Sequence, residues 1–413
     1  MFSLQLLTDA NHARCLDGTP GAYYYRPGLG DGARSWYIHY EGGGWCTTTT
    51  ECLDRSYSVL GSSKTYPERM VPYEDRGYFN TSIAYFSNDA RINPLMHSWN
   101  QVFLRYCDGA SFSGSNYKSI TAVGGKPQLY FRGSAIQNAA ISHLTKAHAL
   151  ADATEVVVGG ASAGGLAVYL HADRWRTALP KARVSALPDS GFFLAVDGDP
   201  PPPTPDHIPA RSTHFAAPTP SASIAAALAQ RPLSALSLTP GRYAASMREM
   251  VTMANSTAGL NPRCVAAHGE DCIFAEVSAR FLRTPAFALQ SAFDTWQVMN
   301  EMATGKNTSR ASVNAYGARL RSALHATLLA SLDVRHGAFI DSCSHHCFKW
   351  GDIRIRGAVQ AAAHAQWYDE VVARGRAPRD DDDDDRVWEQ GDGYPCDACC
   401  HGGGAAGEHA VFV

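Results

Sequence analysis

Short apolar runs alternate along this chain with glycine-rich turns and helix-like stretches. That rhythm predicts an α/β fold, a mostly parallel sheet flanked by helices with loop and helical insertions. Ser35-Trp36-Tyr37-Ile38-His39-Tyr40 reads as a strand stopping at Gly42-Gly43-Gly44, and residues 101–106 (QVFLRY) as another closed by Cys107-Asp108-Gly109. Residues 128–131 form a third, followed by an alanine-rich helix over 135–151. Glu155-Val156-Val157-Val158 has the continuous apolar character of a strand buried on both faces, and a helix follows it to about Asp173. Residues 284–290 (TPAFALQ) give a later strand with Asp294 just beyond it, while 221–231 and 313–332 read as helices, the first ended by Pro232. No internal repeat interrupts the pattern, so residues 10–413 are expected to form a single domain. Two segments stand apart from it: a proline-rich insertion at 197–220 and an acidic loop at 377–388, whose unbroken run at 380–385 is too self-repelling to pack.

Composition narrows the class. With 413 residues, 45% hydrophobic and 18% charged, the chain can fill a sizeable core. A formal net charge of -3 gives no footprint for nucleic acid, and no apolar run approaches the roughly 18 residues needed for a membrane span. Eleven cysteines are many for a reducing compartment. Three glycosylation sequons, at Asn80, Asn255 and Asn307, point the same way, toward a secreted, extracellular or cell-wall location. The first residues, Met1-Phe2-Ser3-Leu4-Gln5-Leu6-Leu7, lack the basic and apolar regions of a signal peptide, so the expectation is that the start is truncated.

The chemistry centres on Gly160-Ala161-Ser162-Ala163-Gly164, a G-x-S-x-G elbow between a β-branched strand and a helix of small residues. Small flanks let the strained turn close and project the Ser162 hydroxyl, with the helix N-terminus facing developing negative charge. This predicts a nucleophile of the α/β-hydrolase type. Such a fold also needs backbone amides for an oxyanion. Ala163 supplies one, and the loop Glu41-Gly42-Gly43-Gly44-Trp45, after an earlier strand, supplies Gly44 and Trp45 as the others. Serine, acid and histidine should follow in that order, which makes Asp294 the acid, with Asp189 and Asp108 as rivals. In Asp341-Ser342-Cys343-Ser344-His345-His346-Cys347 either histidine can be the base on chemistry alone. Trp45, Phe192 and Phe193 are aromatic residues for a sugar- or acyl-binding cleft or for the core.

At these motifs the chain resembles the pectin acetylesterase family, plant enzymes together with the animal Notum carboxylesterases. The resemblance rests on Cys15-Leu16-Asp17-Gly18-Thr19-Pro20, residues 36–46 (WYIHYEGGGWC), 105–114 (RYCDGASFSG), Tyr130-Phe131-Arg132-Gly133, 160–168 (GASAGGLAV), 189–194 (DSGFFL), 285–297, 336–347 (HGAFIDSCSHHC) and Tyr394-Pro395-Cys396. It implies a secreted α/β hydrolase that cleaves an ester with a Ser–Asp–His triad and no cofactor or metal: Ser162, Asp294 and His346, with His345 as the alternative base. It also implies local bridges Cys264–Cys272 and Cys46–Cys52. Ala161, Ala172 and Ala186 stand where many plant members carry cysteine, and an odd total leaves at least one thiol unpaired. A zinc site at Cys396-Asp397-Ala398-Cys399-Cys400-His401 lacks a second matching ligand pair.

Three functions fit these residues. The first is removal of O-acetyl groups from an extracellular polysaccharide such as pectin. The second is a Notum-like lipid-acyl (palmitoleoyl-protein) carboxylesterase, and the third a non-catalytic binding protein on the same scaffold. The first two differ in pocket depth, which sequence does not reveal. The third has no need of Ser162, Asp294 and His346 together.

Overall fold

The structure is a computed structural model. It describes residues 1–413 except 9, 11, 72–83, 122–127, 197–241, 303–308, 332–333, 376–385, 397–398 and 401–413. The proline-rich insertion 197–220, the helix read at 221–231, the acidic run 380–385, His401 and the sequons at Asn80 and Asn307 therefore lie outside the described residues.

Strands β1 (Phe2–Leu6), β2 (Ala22–Arg26), β3 (Ser35–Tyr40), β4 (Arg69–Met70) and β5 (Asn100–Leu104) come from the first quarter of the chain. A small side pair, β6 (Asn116–Thr121) and β7 (Gln128–Phe131), precedes the central strand β8 (Glu155–Ala161). Next come β9 (Arg183–Asp189), β10 (Phe287–Ser291) and β11 (Gly337–Asp341), a two-residue pair β12 (Arg354–Ile355) and β13 (Ala358–Val359), and β14 (Val387–Glu389). Among the described residues the main sheet has ten strands in the order β14-β11-β10-β9-β8-β3-β5-β2-β1-β4. From β14 to β5 every pairing is parallel; β2, β1 and β4 then add as an antiparallel edge. β1 precedes residue 10, where the domain was read to begin.

The middle strands are apolar on both faces because both faces are covered. In β8, Val156 and Val158 pack into one core with Ile38 and Leu166, while Val157 points the other way toward Tyr37 and Leu187. Helix α1 (Thr49–Ser56) is held at its start by a capping box between Thr48 and Glu51. Helices α2 (Gly133–Ala147) and α3 (Ala163–Ala178) follow β7 and β8. The helix read at 313–332 runs Arg310–Leu324 and continues as a π-type turn over His325–Leu329.

Five disulfides bind the layers: Cys15–Cys107, Cys46–Cys52, Cys264–Cys272, Cys343–Cys400 and Cys396–Cys399. Both short bridges expected from the family resemblance are present. Cys347 is unpaired and buried. No described helix is long and apolar enough to cross a membrane.

The parallel strands place their C-terminal ends along one edge, where ligands gather in open α/β sheets. Asp341 ends β11, Asp294 follows β10, Asp189 ends β9, Ser162 follows β8, and the Gly42–Gly44 loop follows β3. Every residue singled out for chemistry leaves the sheet on that edge.

Candidate active site

Ser162 caps α3 with φ 58 and ψ −126, a left-handed conformation that costs a non-glycine residue energy. The turn is possible because the neighbouring backbone comes very close. A β-carbon on Gly164 would stand 2.1 Å from the Tyr40 carbonyl oxygen. The Ser162 amide donates to the Asp189 carbonyl at 2.9 Å, which ties the elbow to the end of β9. From Val156 through Ala172 every residue is buried except Ser162. In this stretch Ser162 alone keeps part of its surface exposed.

Asp294 is the N-cap of the short helix Thr295–Asn300, and its two oxygens divide the work. Oδ1 accepts the Gln297 amide at 3.1 Å, while Oδ2 lies 2.8 Å from His346 Nδ1. A buried carboxylate at that distance fixes the proton on Nδ1 and leaves Nε2 with its lone pair. His346 Nε2 is buried and has no hydrogen-bond partner among the described residues. Cys347, the next residue, donates its amide to Ser190 Oγ at 2.9 Å, next to the Asp189 carbonyl that holds the elbow; burial, then Asp189 and Asp294, push its thiol well above the usual range.

His345 is also held by a carboxylate, but the other way round. Its Nε2 lies 3.0 Å from Asp341 Oδ1 and 3.1 Å from Oδ2. Burial opposes its charge, yet the Asp341 carboxylate outweighs burial and holds the imidazole above its ordinary range. His346 instead stands beside Phe193 and Trp296, with ring centroids 6.2 and 6.4 Å away. The i,i+4 spacing of Asp341 and His345 is a signal for this second pair that the sequence reading passed over.

The Gly-rich loop lies directly on Ser162. A β-carbon on Gly42 would meet the Ala161 carbonyl oxygen at 2.3 Å and Ser162 Cβ at 3.1 Å. Gly44 has φ +64 with open space where a side chain would stand. Ala163 is the first residue of α3, so its amide has no partner within the helix.

Beside the loop, four aromatic rings touch one another in every pairing. Trp45 lies 5.1 Å from Phe193, 5.7 Å from Tyr243 and 5.5 Å from Trp296 between centroids. Phe193 lies 5.9 Å from Tyr243 and 5.2 Å from Trp296, and the last pair is 6.0 Å apart. Tyr243 and Trp296 were not expected in this role, since nothing in their local sequence separates them from core aromatics. Phe192 faces away, against Tyr169.

The rival acids have structural work. Asp189 accepts the Tyr85 hydroxyl and the Phe348 amide at 2.8 and 2.9 Å, and burial pushes its carboxyl up. Asp108 accepts the amides of Phe112 and Gly114 and so closes its own loop. Cys343, Cys399 and Cys400 lie close enough to share a metal ion, but all three sulfurs are in disulfides, whereas metals are bound by thiolates.

A parallel sheet that carries a strained serine at the end of its central strand, with an Asp–His pair arriving from later strands, is the architecture of a carboxylic ester hydrolase of the α/β-hydrolase type. The chain belongs to the pectinacetylesterase family, which it matches over residues 1–200 and 237–401. It is similar to pectin acetylesterase 11 of Arabidopsis thaliana, 30% identical over 359 residues that cover 82% of this chain and 77% of that one. Pectin acetylesterase 5 of the same plant is 30% identical over 389 residues, covering 86% and 77%. The palmitoleoyl-protein carboxylesterase NOTUM of Schmidtea mediterranea is 31% identical over 201 residues, 47% of this chain and 35% of that protein.

Proposed function

We propose that this enzyme removes acetyl groups from the hydroxyls of an extracellular polysaccharide such as pectin, with Ser162, His346 and Asp294 as its triad. The observation that carries the reading is the 2.8 Å Asp294–His346 pair, whose Nε2 has no partner among the described residues, on a segment tied through the Cys347 amide to Ser190, the neighbour of the Asp189 carbonyl that holds the Ser162 amide. His346 Nε2 takes the Ser162 proton as Oγ attacks the acetyl carbonyl carbon. The amides of Ala163, Gly44 and Trp45 hold the resulting oxyanion. Collapse breaks the bond to the sugar oxygen, which leaves with the proton from His346. Water then attacks the acetyl-serine, gives its proton to His346, and acetate departs as Ser162 recovers its own.

The four-ring cluster favours acetate over a long acyl chain. Rings whose centroids are 5.1 to 6.0 Å apart in all pairings are in direct contact, and an alkyl chain would have to part them. The acetylesterase relatives also match most of the chain, whereas the carboxylesterase NOTUM matches about half. Five disulfides support an extracellular or cell-wall location.

The test is Ser162→Ala assayed with p-nitrophenyl acetate. Turnover should disappear while the thermal unfolding profile stays that of the parent, and retained turnover would sink the reading. A series of p-nitrophenyl esters addresses the acyl group: kcat/KM should fall steeply beyond a few carbons. A maximum at eight or more carbons would favour the lipid-acyl alternative.

A further inference from the structure

The glycines that let the loop approach Ser162 also leave its peptide planes free to turn over. Gly43 has φ 134 and Gly44 φ 64, so two consecutive residues sit where glycine alone is comfortable, and neither has a side chain to resist a flip. In a trans peptide the carbonyl and the next amide point in opposite directions. Whatever holds the Gly43 oxygen therefore aims the Gly44 N–H, and whatever holds the Gly44 oxygen aims the Trp45 N–H.

Two buried side chains grip those two oxygens. Arg55 Nη1 donates to Gly43 O at 2.9 Å while its Nε donates to Leu60 O at 3.1 Å. The Tyr106 hydroxyl donates to Gly44 O at 2.8 Å and accepts the Ser111 amide at 3.0 Å. The two residues brace each other, the Arg55 guanidinium lying 4.8 Å over the Tyr106 ring. Both are fully buried. The Gly44 and Trp45 amides donate to no group among the described residues. Ser111 ties the loop to α3: it accepts the Trp45 indole N–H at 2.7 Å and donates to the Ala163 carbonyl at 2.7 Å.

We infer that Tyr106 and Arg55 are positioning residues that lock the two peptide planes of the glycine loop so that the Gly44 and Trp45 amides face the oxyanion. This rests on the reading of those amides as oxyanion donors. Neither side chain touches the substrate; each acts through the carbonyl on the far side of a peptide plane. The contribution belongs to the transition state, because the charge these amides meet develops only as Oγ attacks.

Tyr106→Phe removes one hydroxyl and keeps the ring under Arg55. With p-nitrophenyl acetate, kcat should fall by about 10- to 100-fold while KM stays within about threefold. Inhibition by 1,1,1-trifluoroacetone, whose hemiketal oxygen occupies the oxyanion position, should weaken in the same proportion as kcat/KM. A purely structural role would lower the melting temperature and the fraction of titratable Ser162 without moving kcat per active site. Arg55→Lys, which acts on the other plane, should show the same parallel loss, and it decides the matter if Tyr106→Phe does not fold. Unchanged kcat per active site, or a loss of kcat with no change in trifluoroacetone binding, overturns the inference. Turnover by Ser162→Ala would instead end the triad reading beneath it.

Discussion

His345 and His346 are adjacent, and each is gripped through one nitrogen by a buried carboxylate. The choice between them lies in which nitrogen is gripped and what the ring faces. His346 offers Nε2 beside the aromatic cluster that includes Trp45 of the glycine loop, while His345 has its Nε2 on Asp341 and is less exposed, 8% against 18% for the side chains. Asp294→Asn should lower kcat by about 10⁴-fold, because an amide no longer enforces the Nδ1–H tautomer. His345→Gln should keep kcat within about threefold, since the ring serves a structural pair. Its cost in stability should depend on pH. The His345 contribution is fully present below its unfolded pKa of about 6.5 and fades as pH rises through the elevated folded value. Denaturant melts at pH 5.5 and pH 9 should therefore show the larger loss at pH 5.5. A larger loss at pH 9 would contradict the Asp341 pairing. At this scale sequence was clear about residue types and silent about the choice, because adjacent histidines differ only in tertiary surroundings.

Among the elements, the short helix Thr295–Asn300 shares one side chain with the proposed triad. Asp294 orients His346 with one oxygen and caps the helix with the other. Asparagine preserves the cap and alanine does not, so Asp294→Ala should be about 1 kcal/mol less stable than Asp294→Asn while both are inactive. Equal melting temperatures for the two variants would show that the cap contributes nothing. The strands Ser35–Tyr40 and Glu155–Ala161 and the helix after Ser162 were legible because their apolar runs are long and end at glycines. Arg183–Asp189 and Gly337–Asp341 were missed; RVSALPD mixes two charges, a serine and a proline into a buried parallel strand, and GAFID is only five residues. The grip of Arg55 and Tyr106 on the loop was invisible for another reason: both residues were in view, but carbonyl orientation leaves no mark on composition or period.

For the whole molecule, the interior holds several imidazoles without charge. Burial pushes His39, His171, His336 and His364 down to about 3. In the unfolded chain each takes a proton near pH 6.5, so stability is full above that pH and declines as pH falls toward about 3. Asp108 and Asp189, raised by burial, work in the opposite sense and soften the slope. His364 has no partner for either ring nitrogen among the described residues and lies among Phe287, Trp350 and Trp367. His364→Phe should therefore remove about one proton from the acid limb of a stability–pH curve between pH 6.5 and 4. An unchanged limb would mean that His364 is not buried neutral.

The order of the main sheet has a kinetic consequence. The strand before Ser162 pairs with segments that emerge early in synthesis, whereas the strands before Asp294 and His346 come from the last third of the chain and dock beside β9. Long-range docking of this kind is slow compared with local structure. On the proposed triad, a nascent or refolding molecule would display Ser162 well before His346 reaches it, and would stay chemically silent until the final strands arrive. During refolding with disulfides intact, recovery of esterase turnover should trail the far-ultraviolet signal of the sheet.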